Sequence, residues 1–419
     1  MKRILKGWFI LWCLYCSTLS AQSNSTEGKN SQDRGEFLQI KLVTIDPGDD
    51  LEMWWGHTAI IVEDLRFNTS LFYNYGIFSF EQENFVRNFA MGRLLFWVGV
   101  WNTSMALDYY KSQNRTIYIQ TLDLSPERRV KMARFLANNV LPENREYLYD
   151  HYYDNCATRV RDLIDKMVDG QFARFCNHPS RMTLRQHTRC FTHHHFLMDM
   201  LLMFLMNDTI DKPITQWQDM FLPAELKKNI QVFSFEDSSG AKRKLVTDEI
   251  LFFEAPQKPA IPEFAPQHWP VTLALGGILA MLGLYLAFLY HNQNKGGKYL
   301  FGIYQFLLGF VFGIPGLALF FMSNFTNHTV TYHNENLYLA NPLTLLLLYS
   351  GIKTLRSKNN NQSFTFYLCS VLAFLAVLSL LLKIFPAFDQ DNWDSISLLL
   401  PVWLSLALSW YRIVKKSPV

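Results

Sequence analysis

Short apolar runs bounded by turn residues mark the first third of the chain. FLQIKLVTI, from Phe37 to Ile45, is expected as a strand that breaks at Asp46-Pro47-Gly48. HTAIIVED, from His57 to the acidic turn at Glu63-Asp64, and LFYNYG, from Leu71 to its glycine stop at Gly76, follow as two more. LLFWVGVW (Leu94 to Trp101) and RTIYIQTL (Arg115 to Leu122) are further strands, separated by the helical TSMALDYYKSQ. Ser125-Pro126 then supplies an N-cap and a first-turn proline for a helix through Asn139. From Cys156, apolar Val160, Leu163, Ile164 and Met167 recur at three- and four-residue spacing, so one helix face packs on a core. The pattern predicts an α+β domain in which antiparallel strands carry His57 and Asn74, and a later helix carries Cys156.

After Trp269 the pattern changes. Five apolar stretches of roughly 17 to 24 residues run near Pro270 to Tyr290, Tyr299 to Met322, Leu337 to Leu355, Phe364 to Ile384 and Trp393 to Val414, each long enough to cross a bilayer. The connections HNQNKGGK, with Lys295 and Lys298, and that with Lys353, Arg356 and Lys358 are basic, as is the tail with Arg412, Lys415 and Lys416. SNFTNHTVTYHNEN and FPAFDQDNWDS carry neither Lys nor Arg. The positive-inside rule therefore sets five crossings with an inner C-terminus and the first 260 or so residues outside.

The start of the chain agrees. Lys2, Arg3 and Lys6 precede an apolar run from Trp8 to about Tyr15 and a small-residue exit at Ala21, the form of a cleaved secretory leader. Bulky Trp12 and Tyr15 ahead of Cys13 and Cys16 argue against lipidation. The expected divisions are a leader at 1–21, a spacer at 22–34, a periplasmic α+β domain at 35–254, a proline-rich linker at 255–269, a five-helix bundle at 270–414 and a cytoplasmic tail at 415–419. A hydrophobic fraction of 49% against 18% charged residues fits this plan. The net charge of +3, with no basic run interleaved with aromatics, gives no reason to expect nucleic acid as a partner.

Export makes Cys156 conspicuous. Cys176 and Cys190 can pair in an oxidising compartment, which leaves Cys156 a free thiol, and Cys369 falls inside an expected span. Asp154 or Asn155 caps the helix, and Cys156 occupies the first turn, where open backbone N–H groups and the helix dipole lower a thiol pKa and can receive an oxyanion. Arg159, one turn along, either adds positive charge near the sulfur or pairs with Asp162 or Asp165. The base expected for a cysteine nucleophile is His57, which follows Trp54-Trp55-Gly56; there the glycine permits close approach and the tryptophans wall a cleft. Asn74 is the best placed residue to orient the imidazole, ahead of Asp64 and Asn68, and a strand-end turn residue is the blander account of it. Cys176, His178, His187, Cys190, His193, His194 and His195 form a second cluster that is read as a disulfide with surface histidines or as a structural metal site, although their spacing matches no usual zinc pattern. No cofactor is expected.

WWGHTAIIVED, FYNYGIFSF, GRLLFWVG, PENREYLYDHYYDNCATRVRDLID and DKPITQWQDMFLPAEL together resemble the family that carries the Lnb N-terminal periplasmic domain, and the C-terminal spans resemble the five-helix membrane domain often attached to it. The order His, polar residue, then Cys on a helix is in turn similar to circularly permuted papain-like proteins, namely the lecithin retinol acyltransferase group and NlpC-type peptidases. The resemblance implies a papain-like fold for the soluble domain and thiol chemistry at Asn155-Cys156. Ala157-Thr158-Arg159 departs from the acyltransferase motif, which leaves the substrate class open.

Two functions follow as expectations. One is a membrane-tethered cysteine hydrolase or acyltransferase acting on an amide or ester of an envelope lipid or peptide, with the outer loop of His328, His333, Asn334 and Asn336 either lining a lipid-facing entrance or simply solvated. The other is a non-catalytic envelope assembly or chaperone-like factor that binds a client.

Overall fold

The computed structural model describes residues 35–416 apart from 82, 257–259 and 357–361; the expected leader and spacer lie outside the described residues. In chain order the first domain comprises β1 (Leu38–Ile45), β2 (His57–Asp64), β3 (Thr69–Ile77), α1 (Phe85–Ala90), β4 (Leu95–Asn102), α2 (Thr103–Ser112), β5 (Ile117–Leu122), α3 (Pro126–Asn139) and β6 (Glu146–Leu148). There follow α4 (Cys156–Met167), α5 (Gln171–Phe175), α6 (Leu184–Thr192), α7 (Phe196–Leu205), α8 (Gln216–Asp219), α9 (Pro223–Val232), β7 (Ser234–Glu236), β8 (Lys242–Lys244) and β9 (Val246–Phe253). Seven strands make one antiparallel sheet in the order β6-β4-β3-β2-β1-β5-β9, while β7 and β8 pair separately.

The two-residue period of the strands divides the core into layers. Ile40, Leu42, Ile60, Val62, Tyr73 and Tyr75 face one side, against Val130 of α3, Val160 and Ile164 of α4, and Leu226 and Ile230 of α9. Val43, Ile45, Ala59, Ile61 and Phe72 face the other, against Ala106, Leu107 and Tyr110 of α2. His57 is two residues from Ala59, so it belongs to the α2 side, and Asn74, paired in register with Ala59, lies diagonally beside it. The helix of Ser125-Pro126 forms as expected, its first turn closed by the Ser125 hydroxyl, which accepts from the Arg128 N–H.

In the second part α10 (Trp269–His291), α11 (Lys295–Phe325), α13 (Gln362–Leu382) and α14 (Trp393–Lys416) are each long and apolar enough to cross a membrane. The stretch Leu337 to Leu355 differs from the single span expected of it. Two 3-10 turns, Glu335–Tyr338 and Pro342–Leu345, lead into α12 (Leu346–Arg356), whose 11 residues extend about 16 Å. The interruption has a local cause. Pro342 has no N–H to continue a helix, and the Asn341 side chain instead caps a new start by accepting from Leu343 N–H at 3.0 Å. α11 and α12 touch backbone to backbone: a Cβ on Gly309 would lie 2.8 Å from the Leu348 nitrogen.

The loops beyond α11 and α13 dock on the first domain. Asn334 Nδ2 donates to Leu205 O at 2.9 Å, Asn336 Nδ2 to Phe204 O at 2.8 Å and Gln390 Nε2 to Met206 O at 2.9 Å, so they satisfy the open carbonyls at the end of α7. Asn207 Nδ2 reaches back to Tyr332 O at 2.8 Å, and the buried Arg189 of α6 pairs with Asp394 of α14 and, at 3.5 Å, with Asp199. Asn334 and Asn336 are therefore buried ties between the two parts, neither solvated loop residues nor the lining of a lipid entrance. His328 is engaged as well, with Nε2 3.0 Å from Phe89 O.

Candidate functional site

α4 begins as its residue types dictate. Asn155 is the cap: its Oδ1 accepts from Ala157 N–H at 2.8 Å and Thr158 N–H at 2.9 Å, and Thr158 Oγ1 accepts from Asn155 N–H at 2.8 Å. Its Nδ2 donates to His151 O at 2.7 Å and Phe221 O at 2.9 Å, which ties the helix start to two neighbouring segments. Cys156 thus sits on the first helical residue, half-buried. Asp154, the other capping candidate, binds Arg159 instead, with Nε to Oδ1 at 2.5 Å and Nη2 to Oδ2 at 2.8 Å.

That pair takes the place of the ion pair expected with Asp162 or Asp165. Arg159 meets neither Asp162 nor Asp165, and its guanidinium lies over the Tyr147 ring, 3.6 Å from the centroid. The cation that favours the thiolate is Arg115, a buried side chain that also stands 5.5 Å from the Tyr110 ring and donates to Asp46 O at 2.8 Å. Burial nevertheless dominates and pushes the Cys156 thiol above its ordinary pKa, opposed by hydrogen bonds from the backbone N–H groups of Thr58, Ala157 and Cys156 and by Arg115.

His57 opens β2 immediately after Gly56. Gly56 takes φ +82°, and a Cβ there would meet Ile45 O at 2.9 Å, so only glycine carries the chain into the strand at this height. His57 Nε2 lies 2.6 Å from Asn74 Oδ1 while Asn74 Nδ2 donates to the Tyr110 hydroxyl at 3.2 Å. With its amide nitrogen spent on Tyr110, Asn74 offers His57 only its oxygen; the imidazole must then carry its proton on Nε2 and present Nδ1 as a lone pair. Tyr110 also stacks on the imidazole, with centroids 5.7 Å apart. Burial, and then Arg115, drive the His57 pKa down to about 4, against the pull of Asn74.

The two groups approach through Thr58, the residue after His57, whose backbone N–H is near enough to Cys156 to favour its thiolate. Gly76, at φ +90° in β3, leaves room above the thiol: a Cβ there would stand 3.8 Å from Cys156 Cβ and 3.9 Å from the Tyr147 hydroxyl. That hydroxyl is buried and has no hydrogen-bond partner among the described residues. Of the residues singled out in the sequence, the fold brings together Cys156, His57, Asn74 and Asn155. It also adds Thr58, Tyr110, Arg115 and Tyr147, which were not singled out in the sequence as site residues. Asp64 pairs with Arg66 and Asn68 occupies the turn to β3 at φ 49°, both as turn residues.

The aromatic walls divide. Trp55 packs edge-on to His151 at 4.6 Å, whereas Trp54 stacks on His195 at 4.3 Å and lines a cavity of about 470 Å³ with Asp46, Tyr118 and Phe191 that includes neither Cys156 nor His57. Cys176 and Cys190 do not pair. Cys176 is buried in the main core with Phe172 and Trp217, and the Cys190 thiol instead reaches Met182 Sδ at 4.0 Å. Among the described residues no three His, Cys, Asp or Glu side chains are grouped to hold a metal.

Residues 30–189 match the model of the Lnb N-terminal periplasmic domain and residues 268–415 that of the Lnb transmembrane domain. The chain belongs to the Lnb family. It is accordingly an integral membrane protein with a periplasmic α+β domain followed by a helical membrane domain. No curated protein and no solved structure matches it.

Proposed function

We propose that this Lnb-family protein is a thiol hydrolase or acyltransferase acting at the outer face of the inner membrane on an amide or ester of an envelope lipid or peptide. The observation that carries the reading is the ordered set Asn74–His57–Thr58–Cys156: an imidazole held by an amide oxygen at 2.6 Å, next in sequence to a backbone N–H that favours the Cys156 thiolate. The arrangement has the chain order of the permuted papain-like enzymes, with the base on an early strand and the nucleophile on a later helix.

With the imidazole depressed to about 4 and the thiol raised, the resting pair is neutral. In the first step His57 Nδ1 takes the Cys156 proton as sulfur forms its bond to the substrate carbonyl carbon, and the carbonyl electron pair moves onto oxygen. The Cys156 N–H at the start of α4, whose next two N–H groups are taken by Asn155 Oδ1, and the open Tyr147 hydroxyl stabilise that oxyanion. On collapse the bond to the leaving alcohol or amine breaks and His57 returns the proton to it, leaving a thioester on Cys156. Water or an acceptor amine or hydroxyl then gives its proton to His57, attacks the thioester and releases the thiol. Asn74 keeps the ring in the working tautomer throughout.

Five crossings with an inner C-terminus remain the best account of the membrane domain. The loops after α11 and after α13 both bind the periplasmic domain, so the chain between them, through α12, returns to the other face. The upward shift of the thiol favours one other reading, a client-binding domain with an inert cysteine. Labelling of the full-length, detergent-solubilised protein with a thiol-directed acyl probe separates the two. Labelling of native protein that is lost in both Cys156→Ala and His57→Ala supports the enzyme; labelling that survives His57→Ala, or reaches only denatured protein, supports binding.

A further inference from the structure

α1 and the segment just before it present an apolar face left uncovered among the described residues of the periplasmic domain. Phe80, Val86 and Phe89 are 71%, 79% and 55% exposed, an arrangement that costs free energy in water for side chains of this size. The location explains it. Asn327 N–H donates to Met91 O at 2.9 Å, His328 Nε2 meets Phe89 O at 3.0 Å, and a Cβ on Gly92 would strike the Asn327 backbone at 2.9 Å. Asn327 and His328 lie just past Phe325, where α11 leaves the membrane with Phe320, Phe321 and Phe325 themselves exposed. The apolar face of α1 is therefore held at the outer edge of a membrane span and continues its aromatic rim.

From this face an aromatic row runs inward. Phe85 lies 6.3 Å from Phe78, Phe78 stacks on Phe96 at 5.0 Å, and Phe96 stacks on Tyr149 at 4.3 Å. Phe96, Tyr149 and Cys156 all pack against the same core, and the Tyr149 phenol lies close enough to feel the charge of the Cys156 sulfur.

We propose that Phe80, Val86 and Phe89 insert into the outer leaflet, and that the row Phe85, Phe78, Phe96 and Tyr149 is the path by which a lipid acyl chain reaches Cys156. The proposal rests on the thiol-enzyme reading for its purpose, but insertion and access do not need the thiol to be catalytic. The partner is the bilayer itself, because the patch is bonded to the end of a span and is narrow and aromatic at that depth.

Two measurements on the full chain in phosphatidylethanolamine–phosphatidylglycerol nanodiscs test it. A nitroxide at Val86→Cys, in a Cys156→Ser background with Cys176, Cys190 and Cys369 buried, is compared with one at Phe310→Cys on the lipid-facing side of α11 and one at Ser239→Cys in the exposed β7–β8 hairpin. Val86 is expected to share the oxygen accessibility of Phe310; accessibility to a water-soluble nickel chelate equal to that of Ser239 overturns insertion. Alkylation of Cys156 by a long-chain alkyl maleimide dissolved in the bilayer is expected to slow about tenfold in a Val86→Asp, Phe89→Asp double variant, the change carried by one large apolar side chain, with N-ethylmaleimide affected less than about twofold. Equal slowing of both reagents, or of neither, overturns the path. Both readouts remain valid if the acyl probe fails to label Cys156, so failure of the enzyme reading and failure of the lipid path are told apart.

Discussion

Replacing Asn74 removes the side-chain hydrogen bond that holds the imidazole. Asn74 is 4% exposed, accepts the His57 ring N–H at 2.6 Å and donates to Tyr110 at 3.2 Å. Alanine leaves the ring N–H facing a void, at a desolvation cost of about 1–3 kcal/mol that is relieved when the ring turns out of the orientation the proposed mechanism needs. Each 1.36 kcal/mol is tenfold in rate, so acylation of Cys156 is expected to fall about 10- to 100-fold with little change in unmodified protein. Asn74→Asp tests the same contact with the opposite charge effect. It keeps an acceptor and sets a carboxylate against the imidazole, which raises the His57 pKa from about 4. On the proposed mechanism His57 is the base, so labelling is lost as pH falls through its pKa; the acid limb is therefore expected near 4 in the wild type and at higher pH in the aspartate variant. The assay is the first-order rate of probe labelling of solubilised protein between pH 3.5 and 8, with intact folding checked at each pH. A wild-type rate for Asn74→Ala, or an acid limb that does not move in Asn74→Asp, refutes the role given to this residue.

Three further perturbations probe the frame around the site. Asn155→Ala removes two accepted and two donated hydrogen bonds at the start of α4 and is expected to destabilise the periplasmic domain by about 2–4 kcal/mol; a shift in chemical unfolding below about 1 kcal/mol contradicts the capping account. Arg189→Met strands the Asp394 and Asp199 carboxylates in the junction, an effect of about 3–5 kcal/mol expected to appear as faster proteolysis of the proline-rich linker, and unaltered cleavage kinetics rule it out. Burial holds His151 and His187 at about 4 against an unfolded value of 6.5, so between those values the unfolded chain binds more protons than the folded one. Stability is thus full above about pH 6.5 and declines as pH falls toward 4; a melting temperature that stays constant or rises from pH 7 to pH 4.5 contradicts this.

What the sequence disclosed depended on the range over which each physical cause acts. The strands from Phe37 to Leu122, the helix from Pro126 and the start of α4 at Cys156 are written in period, turn residues and caps within a few positions of one another, and their bounds agree closely with the structure. β9 was not foreseen, because it is an edge strand whose partner β5 lies far upstream: Gln120 pairs with Glu249. Its Ile250, Leu251 and Phe252 are all exposed, so it shows neither alternation nor a buried run. The broken third membrane stretch was hidden for the opposite reason, since an apolar average over the window outweighs the single Asn341-Pro342 step that restarts the helix.

The candidate site shows the same division. Cys156 and Asn155 announce themselves through helix-start chemistry, and His57 through its glycine and tryptophans. Asn74 joins His57 because a strand register places it diagonally across from the ring, and Arg115 replaces Arg159 as the cation because the start of β5 lies near the sulfur while Arg159 folds back to Asp154, the residue before the cap. A charge on the thiol's own helix is the natural candidate in a linear reading; a buried arginine just ahead of a distant strand is a better electrostatic partner, since it works in a low dielectric, whereas Arg159 is held by the Asp154 carboxylate. Sequence proximity therefore predicted the scaffold of the thiol, and only the sheet reveals the groups that would tune it.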